Sequence, residues 1–117
     1  MPRPQNVLVP SIFNGINMGY NEIIIYGADH SWTENIRINN ANQVCLTDSH
    51  FYDQEEVSLK PWRKATEGRE IYKMYEILWD LSNTFKSYHT LREYADTQGC
   101  HIVNKTGGSY IDAFDRA

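Results

Sequence analysis

The apolar positions near the start of the chain change from helical spacing to a continuous run. Residues 7–18 carry apolar side chains three and four positions apart and are followed by Gly19, so they predict a short helix. Residues 22–26 contain an unbroken apolar run, which is typical of a strand covered on both faces in a parallel sheet. The chain therefore opens with a predicted helix and strand.

The second half of the chain is dominated by a long helical pattern. Between residues 70 and 99 the apolar positions step by threes and fours, with a kink or break expected at residues 82–84 because Ser, Asn and Thr are weak helix formers. Residues 100–103 predict a second strand, and residues 109–114 predict a capped final helix.

The segment between these two parts has no sustained periodicity. Residues from 31 to about 68 are rich in Asn, Thr, Asp and Pro, and they predict a long irregular loop of the kind that acts as a lid or binding segment. The predicted order is α-β-long loop-α-β-α, in which the two strands are parallel and joined by a right-handed crossover. We therefore expect a single α/β domain over residues 1–117 with a Rossmann-like partial parallel sheet.

A sheet of two strands raises a physical difficulty. Two parallel strands are marginally stable alone, and each exposes an edge that can pair with another chain. We expect the chain to be half of a larger Rossmann-like fold, or to complete its sheet by forming a homo-oligomer.

Composition and charge exclude several classes of protein. The net charge is −4 at pH 7, with acidic and basic residues interspersed, so no electrostatic footprint indicates nucleic acid or an anionic membrane as a partner. No apolar run approaches the roughly 20 residues of a transmembrane helix, and no signal-peptide core is evident, which predicts a cytoplasmic protein. Cys45 and Cys100 are expected to be free thiols without metal-type spacing.

The residues that follow the first strand are the first candidates for chemistry. In open α/β sheets the ligand crevice lies outside the carboxyl ends of the strands, which here places Asp29 and His30 at the candidate site. His50, close to Asp48 in the long loop, is the candidate general base, because histidine titrates near neutral pH and a carboxylate can fix its tautomer. The alternative is that His50 and its acidic neighbours are solvated loop residues.

The same part of the chain admits a metal site as an alternative. Carboxylate oxygens suit Mg²⁺ and imidazole nitrogens suit Zn²⁺, although the spacing matches no known metal signature and proton transfer is the favoured interpretation. The ligands in this alternative would come from two histidines and three aspartates, namely Asp29, His30, Asp48, His50 and Asp53.

Two further features could contact a ligand. The glycine-containing segment 104–109 could hold an anion through its backbone N–H groups, and the simpler alternative is a turn into a helix capped by Ser109. Aromatic residues of the long loop, such as Trp32 and Tyr52, could stack on a nucleobase or a sugar, or they could tie the loop to the sheet.

Three blocks of the sequence resemble the C-terminal part of bacterial sialyltransferase-like proteins and of related 6-hydroxymethylpterin pyrophosphokinase-like proteins. The blocks are INMGYNEIIIYGAD at residues 16–29, DSHFY at 48–52 and IVNKTGGSYIDAF at 102–114. The resemblance implies a Rossmann-like glycosyltransferase of surface polysaccharide biosynthesis. Such an enzyme transfers sialic acid from a CMP donor to a glycan acceptor.

The resemblance also implies roles for individual residues. His50 matches the proposed catalytic base, in a site shaped by Asp29, Asp48 and Tyr52. Tyr26 is the nearest match to a tyrosine that holds the donor phosphate, whereas the next such position falls around His30 to Trp32 and is not a tyrosine. Ser109 completes the predicted donor-binding residues. No metal cofactor is implied by the sialyltransferase-like relatives, whereas the pyrophosphokinase-like branch requires magnesium.

The length of the chain departs from the resemblance. The N-terminal half of the family, which supplies much of the nucleotide pocket, has no counterpart in these 117 residues, so we expect a glycosyltransferase-like domain that is incomplete on its own. Two alternatives remain open at this point: a magnesium-dependent diphosphokinase-like enzyme, and a non-catalytic assembly module.

Overall fold

The computed structural model describes residues 6–48, 58–64 and 68–117, with residues 48 and 58–60 described by their backbone. These residues form two compact units. The first contains the described residues up to His30 and those from Asp80 onward, and the second contains those between Ser31 and Trp79. In chain order the elements are α1 (Leu8–Asn17), β1 (Glu22–Ile25), a 3-10 helix (Trp32–Asn35), β2 (Ile36–Ile38), β3 (Val44–Asp48), β4 (Ser58–Pro61), α2 (Met74–Thr97) and β5 (His101–Asn104).

The first unit is a mixed α/β arrangement built on a parallel pair of strands, as the sequence predicted. β1 and β5 pair in parallel, with Glu22 opposite His101 and Ile25 opposite Asn104. The Asn6 side chain starts α1 by accepting hydrogen bonds from the N–H groups of Leu8 (3.0 Å) and Val9 (3.1 Å). The predicted positions of α1, β1, α2 and β5 are confirmed to within a few residues.

One apolar cluster holds the first unit together. It joins α1 and α2 to β1, β5 and the C-terminal segment, and burying each large aliphatic side chain contributes about 1.5–3 kcal/mol. Its largest buried members include Val9, Ile12, Ile16, Ile25, Tyr88, Leu91, Ile102, Ile111 and Phe114. The cluster fixes the two parallel strands and therefore positions the loops at their carboxyl ends.

The prediction that β1 is covered on both faces is wrong. Ile25 is 4% exposed, whereas Ile24 is 42% exposed and Tyr26 is 69% exposed. α1 packs on the face that carries Ile23 and Ile25, and a Cβ atom added to Gly15 would lie 3.0 Å from Ile23 Cδ1. Within the described first unit, no comparable layer covers the other face of β1.

The predicted break in the long helix does not occur. α2 continues through residues 82–84 without interruption. The hydroxyl of Thr84 donates to the carbonyl oxygen of Asp80 (3.0 Å), and that of Ser87 donates to the carbonyl oxygen of Asn83 (2.8 Å). Because these hydroxyl groups bond to carbonyls one turn back, the polar residues remain compatible with a buried helix.

The prediction of an irregular loop from 31 to about 68 is also wrong. β2, β3 and β4 form an antiparallel sheet in the order β2-β3-β4. The turn between β2 and β3 is organised by Asn39, whose side-chain oxygen accepts from the N–H groups of Ala41 (3.0 Å) and Gln43 (2.9 Å). The strands are only three to five residues long. Such short strands leave too few alternating positions to reveal a period.

The predicted final helix at residues 109–114 is absent from the described C-terminal segment. The Ser109 hydroxyl does not cap a helix, because it donates to the carbonyl oxygen of Ala28 at 2.6 Å and accepts from the Asn104 amide at 3.0 Å. The segment instead contains bends, and Asp115 forms a parallel bridge with Val103 of β5. Among the described residues, neither α1 nor α2 is long and apolar enough to cross a membrane.

Candidate functional site

The loops that follow β1 and β5 are joined at the carboxyl ends of the two strands. The Ala28 N–H donates to the Thr106 hydroxyl at 3.1 Å, and the Ser109 hydroxyl donates to the Ala28 carbonyl oxygen at 2.6 Å. The Tyr110 N–H donates to the Asp29 carbonyl oxygen at 2.9 Å. The predicted strand-end residue Asp29 is therefore held beside the loop that follows the other parallel strand.

A buried asparagine forms hydrogen bonds within the loop that follows β5. Asn104 is 0% exposed, and its amide accepts from the Thr106 N–H (3.0 Å) and donates to the Ser109 hydroxyl (3.0 Å). The Arg116 guanidinium donates to the carbonyl oxygens of Thr106 (2.7 Å) and Ser109 (2.6 Å). These bonds satisfy the polar groups of both loops internally and make the strand ends rigid.

This arrangement favours a turn over an anion-binding loop at residues 104–109, but the helix that Ser109 was predicted to cap does not follow the turn. The N–H of Lys105 donates to the Ile25 carbonyl oxygen (2.9 Å), and that of Thr106 donates to Asn104. Ser109 is buried and its hydroxyl already makes three hydrogen bonds within the protein. Its predicted role in donor binding therefore has no support from this geometry.

His30 lies in an unusual backbone conformation at the end of the β1 loop. Its φ angle of 53° is in the left-handed region, which non-glycine residues adopt at a cost and which is enriched at functional sites. Its Nε2 atom lies 2.6 Å from the hydroxyl oxygen of Tyr88, a side chain that is 0% exposed. The Tyr88 hydroxyl also accepts from the Asn6 amide at 3.1 Å.

Hydrogen bonding and burial both bear on the protonation state of the His30 imidazole. The Tyr88 oxygen accepts from the Asn6 amide, and its hydroxyl can donate to His30 Nε2 when the neutral imidazole carries its proton on Nδ1. Burial lowers the pKa of His30, and the charge of Asp29 acts in the opposite direction. Burial also raises the pKa of Tyr88. We therefore expect a neutral imidazole at pH 7.

We use the name strand-end surface for Asp29, His30, Lys105 and Tyr110. Asp29, Lys105 and Tyr110 have exposed side chains, and His30 is half-buried. The group combines a carboxylate, an imidazole, an ammonium group and a phenol on two loops whose backbones are hydrogen-bonded to each other. Such a set can accept hydrogen bonds from hydroxyl groups and can attract a phosphate.

Tyr26 belongs to a different feature of the first unit. It lines an open groove of about 450 Å³ that runs between α1 and β1. We call this the edge groove, and its apolar lining includes Leu8, Ile12, Tyr20, Ile23, Ile24 and Tyr26.

The remaining predicted site residues lie in the second unit or outside the described residues. Trp32 begins the 3-10 helix of the second unit and is half-buried. Asp48 is the last residue of β3. His50 and Tyr52 lie outside the described residues, so the predicted general base stays a prediction.

Two histidines attach the C-terminal segment to the first unit. His101 of β5 lies 2.9 Å from the carboxylate of Asp115, and His89 of α2 lies 3.0 Å from that of Asp112. The hydrogen bond from His101 and the charge of Arg92 hold the pKa of the Asp115 carboxyl below its usual range. The sequence alone does not indicate either pair, because the partners are 14 and 23 residues apart and meet only through the packing of the C-terminal segment.

The chain also contains candidate metal ligands and two cysteines. Among the described residues, no group of three His, Cys, Asp or Glu side chains is arranged to hold a metal ion. His50 and Asp53, which belong to the proposed metal ligands, lie outside those residues. Cys45 and Cys100 are both buried free thiols, and burial raises the pKa of Cys100.

Sequence reasoning missed the residues that position the candidate site. Tyr88 follows the apolar spacing of α2, which predicts a core or subunit-interface position, and its hydroxyl gives no periodic signal. Asn104 directly follows a buried apolar pair at the end of a predicted strand, and that position is the signal that could have identified it.

Comparison of the chain with protein-family models, with curated proteins and with solved structures gives no match. The resemblance to sialyltransferase-like proteins therefore stays a prediction.

Proposed function

We propose that this chain is a glycosyltransferase-like domain that binds a nucleotide-sugar donor at the strand-end surface. The observation that supports the proposal is the joining of Asp29 and Tyr110 at the carboxyl ends of two parallel strands. Ligands of open α/β sheets bind at this end of the strands. The sequence resemblance adds the class of ligand, a CMP-linked sugar.

Each side chain of the surface has a chemical role in this proposal. The Asp29 carboxylate accepts hydrogen bonds from hydroxyl groups of the ribose or the sugar, and Lys105 attracts the donor phosphate. His30 follows Asp29 in the sequence, and because burial lowers its pKa it would contribute a hydrogen-bonding imidazole rather than a further charge. Tyr26 belongs to the proposed donor contacts through the resemblance, and Trp32 and Tyr52 belong to them as aromatic residues that could stack on the nucleobase or the sugar.

The transfer step follows from general acid–base chemistry. The acceptor hydroxyl oxygen forms a bond to the anomeric carbon of the donor sugar, and the bond from that carbon to the phosphate oxygen breaks. His50 takes the proton of the acceptor hydroxyl, and Asp48 orients the imidazole. The electron pair of the broken bond leaves with CMP. Neither a resident metal nor an organic cofactor is part of this step.

The wider assignments belong to the same proposal. A CMP-sugar donor and a glycan acceptor as partners, a cytoplasmic location and a role in surface polysaccharide biosynthesis are expected together. A second portion of the fold is expected to supply the rest of the nucleotide pocket, so the isolated chain is expected to bind the donor weakly.

Titration of isotope-labelled protein with CMP, followed by backbone amide NMR, tests the proposal. We expect localised shifts at the strand-end surface, and weaker binding in an Asp29→Asn variant. Asp96→Asn is the matched control, because Asp96 is an exposed carboxylate near the opposite end of the sheet, just before β5. A spectrum that does not move with CMP, or one that moves equally in both variants, contradicts the proposal.

A further inference from the structure

The outer edge of β1 presents unpaired backbone groups. The His101 N–H donates to the Asn21 carbonyl oxygen and the Lys105 N–H donates to the Ile25 carbonyl oxygen, each at 2.9 Å. Residues 21, 23 and 25 therefore direct their backbone groups toward β5, because alternate residues of a strand point to opposite edges. In the part of the chain that the structure describes, β5 is the one strand that pairs with β1.

The intervening residues form the free edge. Glu22, Ile24 and Tyr26 direct their N–H and carbonyl groups away from β5, and all three side chains are exposed. Ile24 and Tyr26 are among the large hydrophobic residues that the first unit leaves exposed. The edge groove lies beside this edge and is mainly apolar, with Glu22 as its one ionised lining residue. A row of unpaired backbone groups next to an apolar groove fits an added β-strand.

We propose that a second copy of this chain supplies that strand, pairing β1 with β1 in antiparallel orientation about a two-fold axis at Ile24. In this register Ile24 faces Ile24 of the second copy, and Glu22 faces Tyr26. Each of these facing pairs exchanges two backbone hydrogen bonds. The product is a continuous sheet in the order β5-β1-β1-β5.

The edge is complementary to itself in backbone geometry, and this register places no like charges opposite each other. The two-fold axis places each Glu22 opposite a tyrosine, so no like charges face each other across the strands. The facing side chains at the axis are two exposed isoleucines, which gain an apolar contact. Both copies lose one exposed edge, and a marginal sheet of two strands becomes one of four. A single patch therefore fits its own copy, as an isologous dimer requires.

Sedimentation equilibrium over a range of concentrations tests the pairing. We expect a dimer for the unaltered chain and about tenfold weaker association for Ile24→Lys, because the substitution places two lysines opposite each other at the axis. Ile38→Lys is the matched control, since Ile38 is also an exposed isoleucine on a strand, in the second unit. We expect Ile38→Lys to associate like the unaltered chain. Circular dichroism should show that both variants remain folded.

Amide hydrogen exchange identifies the surface independently of the substitutions. The amides of Glu22, Ile24 and Tyr26 should become protected as the dimer forms, whereas those of Ile23 and Ile25 face β5 and serve as an internal reference. A monomer at all concentrations overturns the proposal. So does a dimer that survives Ile24→Lys while the three edge amides exchange rapidly, because its interface then lies elsewhere. Edge protection that is independent of concentration also overturns it, since another part of the same chain would then cover β1.

This pairing does not depend on nucleotide binding. The absence of CMP binding would not contradict the β1 pairing, and a monomeric chain would not contradict the donor site.

Discussion

The hydroxyl oxygen of Tyr88 lies 2.6 Å from Nε2 of His30, and it joins a buried helix position to the loop at the end of β1. The same oxygen accepts a hydrogen bond from the Asn6 side chain, which caps α1. One hydroxyl therefore connects three segments of the first unit. Its loss removes one hydrogen bond from each of His30 and Asn6.

Replacing Tyr88 with phenylalanine should destabilise the protein by about 1–3 kcal/mol. The ring and most of its packing are retained, so the cost arises from the unmet hydrogen bonds of His30 and Asn6. If the Tyr88 hydroxyl donates to the neutral imidazole, its removal should raise the pKa of His30, because a hydrogen bond to the neutral form lowers that pKa. Urea unfolding measures the first effect, and an NMR titration of the His30 ring measures the second. Tyr26→Phe removes an exposed hydroxyl and should alter neither quantity.

His30 should make stability depend on pH below neutrality. Burial lowers its folded pKa below the usual 6.5, so the unfolded state binds the proton more readily in this range. The free energy of unfolding should fall as pH decreases from about 6.5 toward the folded pKa, by at most about 1.4 kcal/mol per pH unit.

A His30→Asn variant isolates this contribution. Asparagine tolerates positive φ better than most residues and does not titrate, so the variant should lose the extra pH dependence without added backbone strain. Chemical denaturation between pH 8 and pH 5 compares the two proteins. Equal slopes would show that His30 does not carry the effect.

Asn104 should contribute strongly to the rigidity of the strand-end surface. Asn104→Ala leaves the buried Thr106 N–H and the Ser109 hydroxyl without one partner each, at a cost of about 1–3 kcal/mol for each unsatisfied group. Hydrogen exchange of the Thr106 and Ala28 amides should accelerate as well. Asn21→Ala is the control, because the Asn21 side chain is exposed and its backbone carbonyl is retained. A comparable loss in both variants would argue against a special role for the buried amide.

The sequence predicted the elements whose apolar period is long or continuous, and it missed those shaped by tertiary contacts. α1 and α2 have many periodic positions, and β1 has an unbroken run, so their existence could be inferred. β2 to β4 are too short for a period to emerge, and the polar segment around them looks like a loop. Ser109 matches a helix cap locally, but Ala28 and Asn104 compete for its hydroxyl.

The candidate site was predictable where it depends on the order of the strands and helices. The position of Asp29 and His30 at a strand end follows from the strand and crossover pattern. The contact of His30 with Tyr88 spans 58 residues of sequence and depends on how α2 packs, so no local pattern indicates it.

His50→Ala should lower the rate of sugar transfer by a factor of about 10²–10⁴ if His50 is the general base. Binding of CMP should be retained, because the base contacts the acceptor hydroxyl rather than the nucleotide. Single-turnover transfer from CMP-sialic acid to a glycan acceptor, measured beside CMP binding by NMR, separates the two effects. His89→Ala provides a control with an exposed histidine on α2. Transfer that survives His50→Ala would exclude His50 as the base.

Gly15 lies where α1 is close to β1. Its replacement by alanine has two opposing effects on stability, a gain in helix propensity and a loss in packing. Gly15→Ala should gain up to about 1 kcal/mol in helix propensity. The new Cβ atom would, however, lie 3.0 Å from Ile23 Cδ1, so the isoleucine must move. Ile23 is half-buried and Cδ1 is the end of a flexible side chain, so we expect a net stabilisation smaller than the propensity gain.

A double-mutant cycle with Ile23→Val tests this balance. Valine lacks the Cδ1 atom, so Gly15→Ala should be more stabilising in the Ile23→Val background than alone. Thermal unfolding of the four proteins gives the coupling between the two positions. An effect of Gly15→Ala that is equal in both backgrounds would show that the contact with Ile23 costs nothing, and that α1 has room to move away from β1.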